Sequence, residues 1–147
     1  MSVQYSTIAA QLAQGHTVVS YTKGRSMEPL LYEGRSYVVL APLRSPLAVG
    51  DLPLFRRADG NYVLHRLVAM DDHWYYTRGD NCLGVERVPR DQMLGVVIEI
   101  VRKGRTISLQ SRGYRAYVWL WRISTPVRLV FFGWRAIAAE WKRKCKS

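Results

Sequence analysis

A serine hydroxyl attacks a carbonyl only when a neighbouring base takes its proton. Residues 26 and 65 are a serine and a histidine, and they define the chemistry to consider first. Ser26 stands in Lys23-Gly24-Arg25-Ser26-Met27-Glu28-Pro29, a turn bounded by glycine and proline. His65 stands in Val63-Leu64-His65-Arg66-Leu67-Val68. Strand alternation puts Val63, His65 and Leu67 on one face and Leu64, Arg66 and Val68 on the other. A free imidazole titrates near 6.5, so His65 needs orientation more than burial to act as a base. A carboxylate gives that orientation in a triad. Asp80, in Gly79-Asp80-Asn81, and Glu86, in Cys82-Leu83-Gly84-Val85-Glu86, are the candidates. Asp80 is preferred, because Glu86 beside Arg87 reads equally as a solvated pair. Asp80 has its own structural reading as a turn cap, and a Ser/His dyad stays open. Taken singly, Ser26 is also an ordinary turn serine and His65 an ordinary core histidine. Together they suit acyl transfer.

Five segments in order over about residues 20–102 strengthen that reading. They are Gly24-Arg25-Ser26-Met27-Glu28-Pro29, Val49-Gly50-Asp51-Leu52-Pro53-Leu54-Phe55, the His65 strand, Gly79-Asp80-Asn81 and Leu94-Gly95-Val96-Val97. The series resembles the conserved boxes of type I signal peptidases and the related LexA-like self-cleaving repressors. The resemblance implies a mainly β catalytic domain built on a coiled sheet. It implies a serine endopeptidase that removes a leader or signal segment from an extended peptide, with small residues before the cut. No metal or cofactor is implied. Bacterial signal peptidases carry a lysine as base; His65 is similar instead to the endoplasmic-reticulum and sporulation-type branch. That branch has an aspartate just beyond the Gly-Asp-Asn motif, where this chain has Glu86 at about the same place. The resemblance makes the Ser26 N–H an oxyanion donor and sets Met27 beside the substrate cleft. Gly24 lacks the hydroxyl that many members place two residues before the nucleophile. Two rival readings are a catalytically silent peptide-binding module and a membrane-surface adaptor.

The elements that must position these groups are legible from periodicity and turn residues. Gln4–Gln14 reads as a short helix with Ile8, Leu12 and Tyr5 on one face, stopped by Gly15. Strands are expected over Thr17–Tyr21, Tyr37–Leu40, Leu52–Phe55, Tyr62–Met70, His73–Thr77, Leu94–Arg102 and Arg105–Leu109. Asp59-Gly60-Asn61 is a hairpin signal. Residues 79–90 read as irregular. Beyond Gly113, two helices are expected, Tyr114–Ile123 and Val127–Lys144, split by Pro126 with Ser124 or Thr125 as cap. The expected organisation is a catalytic domain over 1–110 and a basic helical tail over 111–147.

Charge divides the chain at the same place. Residues 1–101 hold ten Lys/Arg and ten Asp/Glu, whereas residues 102–147 hold twelve Lys/Arg and only Glu140. The whole net charge of +11 therefore lies in the last third and seeks a polyanion. Arg115, Arg122, Arg128, Arg135 and Lys142 recur at steps of seven, six, seven and seven, and on a continuous helix one basic stripe is expected. With Tyr117, Trp119, Trp121, Phe131, Phe132 and Trp134 around them, an anionic membrane surface is the expected contact. Nucleic acid is the lesser alternative, since residues 1–25 leave no room for the helix-turn-helix that LexA-like chains carry there. Cys82 and Cys145 suit free thiols better than a disulfide framework or zinc site. Met1 to Gly15 lacks the basic and apolar regions of an export signal, and no run of about 18 apolar residues occurs. The expected location is cytoplasmic, with the tail at the inner membrane face.

Overall fold

The computed structural model describes residues 2–43 and 46–144, without the side chains of 2–6, 132 and 136–144. Tyr5, Phe132 and Lys142, as side chains, and Cys145 thus lie outside the described residues. Met1–Ser111 and Arg112–Ser147 are two compact units. The first is mainly β, with a short N-terminal helix; the second is helical.

Helix α1 (Ser2–Ala13) buries Ile8 and Leu12 and stops at Gly15, whose φ of 87° suits glycine. Among the described residues, nine strands follow: β1 (Val18–Tyr21), β2 (Ser36–Pro42), β3 (Pro53–Arg56), β4 (Tyr62–Leu64), β5 (Arg66–Met70), β6 (Trp74–Arg78), β7 (Glu86–Pro89), β8 (Met93–Arg102) and β9 (Arg105–Ser108). All pairings are antiparallel. The larger, curled sheet runs β1-β2-β8-β3-β4, with β9 also paired to β8. The smaller runs β5-β6-β7. β2 and β8 alternate buried and half-buried positions, as strands with one covered face do. α1 covers part of that face. A Cβ on Gly95 of β8 would lie 2.9 Å from Leu12 Cδ1 and 2.8 Å from the Ala41 carbonyl, so glycine lets the helix close down. Phe55 and Met93 of the larger sheet meet Leu67, Tyr75 and Val88 of the smaller one, with Leu47, in one apolar cluster that joins the sheets.

The expected strand Tyr62–Met70 is two strands. β4 ends at Leu64 in the larger sheet, and β5 begins at Arg66 in the smaller. His65 is the corner between them rather than a mid-strand residue. Alternation breaks there: His65, Arg66 and Leu67 are all buried, so the two-face assignment across this segment does not hold. β7 lies inside the stretch expected to be irregular. It is a short edge strand with a proline, paired only to β6.

The second unit is one helix, α2 (Arg112–Lys144), with Pro126 inside it, not two. The Ser124 and Thr125 hydroxyls donate back to the Trp121 carbonyl at 3.1 and 2.9 Å instead of capping a new helix. Continuity does not produce a single basic stripe. At about 100° per residue, the thirteen-residue step from Arg115 to Arg128 turns through about 220°. Arg115 and Arg122 therefore share one side, and Arg128 and Arg135 another. Among the described residues, no helix is long and apolar enough to cross a membrane.

Candidate active site

The turn carrying Ser26 is held from two directions. Gly24 takes φ 77°, the left-handed conformation that glycine allows without strain. Behind the serine, Met27 is buried and its carbonyl accepts from Leu31 N–H at 2.9 Å. Arg102 donates to the Pro29 carbonyl at 2.8 Å and stacks over Tyr32, tying the following loop to the end of β8. From the other side, Asn81 N–H donates to the Ser26 carbonyl at 2.8 Å, and the Asn81 amide donates to the Arg25 carbonyl at 3.2 Å. Gly79 lies against the same group: a Cβ there would sit 2.6 Å from the Ser26 carbonyl and 2.8 Å from Cys82 Sγ. Only glycine fits this approach. The Gly79-Asp80-Asn81 turn is thus a clamp on the backbone of the serine.

Asp80 completes the clamp from below. Its two carboxylate oxygens accept from Arg66 at 2.8 and 2.7 Å, and both side chains are buried. Arg66 also donates to the Gly50 carbonyl at 3.0 Å. This fork-to-fork pair satisfies two charges that burial would otherwise penalise. Both carboxylate oxygens of Asp80, the acid preferred from the sequence, are thus engaged by Arg66.

Glu86, at the start of β7, brings its Oε2 to 3.9 Å from His65 Nδ1. It is not a solvated partner of Arg87, which lies over the Trp74 ring. Instead it accepts two hydrogen bonds from Arg57, at 2.6 and 2.7 Å. His65 is 8% exposed, and its Nδ1 has no hydrogen-bond partner. Burial lowers the imidazole's pKa below its ordinary value; Glu86 pulls it up, Arg57 pulls it down, and Asp80 adds a smaller upward pull. The net effect favours the neutral, proton-accepting form of the imidazole.

Ser26, Met27, His65, Arg57 and Cys82 line one cavity of about 360 Å³. Residues from β1 and β4, the strands at the two ends of the β1-β2-β8-β3-β4 path, line it as well. Arg57 carries no signal in the sequence, where it is one more polar residue before a hairpin; only the fold brings it to Glu86. Cys82 brings a thiol to the same cavity. Burial pushes its thiol pKa up, away from the reactive thiolate. Among the described residues, no three His, Cys, Asp or Glu side chains gather to hold a metal. The chain matches no protein-family model and no curated protein sequence.

Proposed function

We propose that this chain is a serine endopeptidase of the signal-peptidase type, with Ser26 as nucleophile, His65 as general base and Glu86 as the orienting acid. The observation that carries the reading is the shared cavity. A turn serine and a buried imidazole line it together, with a carboxylate oxygen 3.9 Å from Nδ1 of that imidazole. The ordered series of five motifs supports the same conclusion.

In the proposed reaction, Ser26 Oγ attacks a peptide carbonyl as its proton passes to His65. The carbonyl oxygen takes up the electron pair, and the Ser26 N–H stabilises the developing charge. Collapse of the intermediate breaks the C–N bond, and His65 returns the proton to the leaving amine. Water, activated by the same imidazole, then resolves the ester and regenerates Ser26. The clamp on the Ser26 carbonyl holds the nucleophile's backbone through both steps. Edge strands β1 and β4 offer backbone groups to an extended substrate, which a peptide recognises by strand addition.

A second reading, a peptide-holding module without turnover, draws on the commitment of Glu86 to Arg57. One experiment separates the two. Purified protein is incubated with a diverse peptide pool, and cuts are mapped by mass spectrometry beside Ser26→Ala and His65→Ala. Cleavage that falls by about 10²-fold or more in each variant is expected. Peptide capture by folded wild-type protein, with no cuts, favours the holding module.

A further inference from the structure

Helix α2 presents an apolar face of regular spacing. Ala116, Leu120, Ile123, Val127, Val130 and Trp134 follow alternating steps of four and three residues, which keeps them on one side of a helix. All are exposed, Val127 at 72%, Val130 at 71% and Trp134 at 73%. Such a stripe on a water-facing helix is unfavourable without a partner. The cations flank it. At about 100° per residue, Arg115 and Arg122 fall on one side of the stripe and Arg128 and Arg135 on the other, each about 100–120° from its centre.

We propose that this face of α2 lies in the plane of an anionic lipid bilayer surface, with the apolar stripe among the upper acyl chains and the four arginines at the headgroups. A helix with a Trp-bearing apolar face between cationic flanks has the form of an interfacial helix. The charge of the chain supports this occupant, since the excess of +11 is confined to residues 102–147 and Glu140 is the one acid there. A second copy of the helix is a poorer occupant. The residues bordering the stripe include Arg115, Arg122, Arg128 and Arg135, and pairing two such faces would set arginine against arginine. A nucleic acid would place its phosphates against the apolar centre rather than the flanks. The proposal is independent of the chemistry at Ser26.

Flotation of the full chain with vesicles tests it. Phosphatidylcholine vesicles containing phosphatidylglycerol are expected to carry the protein, and phosphatidylcholine alone is not. Arg122→Gln and Arg128→Gln each weaken binding about fivefold. Val127→Asp combined with Val130→Asp weakens it roughly tenfold or more. Both positions are exposed, so circular dichroism of the double variant is expected to match wild type. Failure to float with anionic vesicles, or equal flotation with neutral ones, overturns the proposal. So does a wild-type dimer that the double aspartate variant converts to monomer, which assigns the face to a second copy. Binding to DNA that the arginine variants lose and the aspartate variant keeps overturns it as well.

Discussion

At the residue scale, the site turns on how two carboxylates are shared between two arginines. Asp80 and Glu86 both sit near the imidazole's field, yet each is engaged by a guanidinium, Arg66 and Arg57. Burial holds His65 below its ordinary pKa, so the acid limb of kcat/KM against pH is expected below 6.5. Glu86 raises that pKa; Glu86→Gln therefore moves the acid limb to still lower pH. The same variant lowers kcat, by less than the ~10²–10⁴-fold loss expected without the base itself. A pH profile of both proteins checks the direction. An upward shift of the limb would remove Glu86 from its assigned place. Linkage has the same sign: stability from keeping His65 neutral is present above about 6.5 and lost as pH falls through its lower folded value.

At the element scale, the decisive feature is a corner. β4 and β5 belong to different sheets, and the one residue between them is His65. Next to it, Arg66 crosses to Asp80 in the turn after β6, so the corner and the serine clamp are joined by a buried ion pair. Removing one partner strands the other charge in the interior. Asp80→Asn is expected to cost about 3–5 kcal/mol of stability, read from denaturant midpoints. It is also expected to weaken turnover, since Gly79 and Asn81 on either side of Asp80 hold Ser26. An unchanged midpoint would mean that the pair is not buried in solution.

At the scale of the whole molecule, chemistry and charge occupy different units. Every residue lining the cavity lies between Ile8 and Cys82, within the unit Met1–Ser111, while the cationic and apolar faces of α2 lie in Arg112–Ser147. A chain ending at Ser111 is therefore expected to keep its hydrolysis of a soluble peptide and to lose flotation with anionic vesicles. Loss of turnover in a truncate that retains its strand signal in circular dichroism would show that α2 contributes to the site.

Local pattern was enough for much of this protein. Alternation, Gly and Asp-Gly-Asn turns and the change of composition after Gly113 located α1, most strands of the first unit and the helical tail, because those signals act within a few residues. The types and order of Ser26, His65, Asp80 and Glu86 likewise marked the candidate site. Two things depended on contacts distant in sequence. The break at His65 follows from β5 joining a second sheet, a pairing that no pattern within residues 62–70 encodes. The roles of Asp80 and Glu86 depend on which arginine each meets; Arg66 is 14 positions from Asp80, and Arg57 is 29 from Glu86. The passage of α2 through Pro126 is a separate, local matter: it runs against the ordinary helix-breaking tendency of proline, and the Ser124 and Thr125 hydroxyls beside it bond back within the same helix. Sequence alone determined which groups were available for chemistry, and tertiary structure decided which carboxylate faced the imidazole, because charge pairing in the interior is settled by proximity in space.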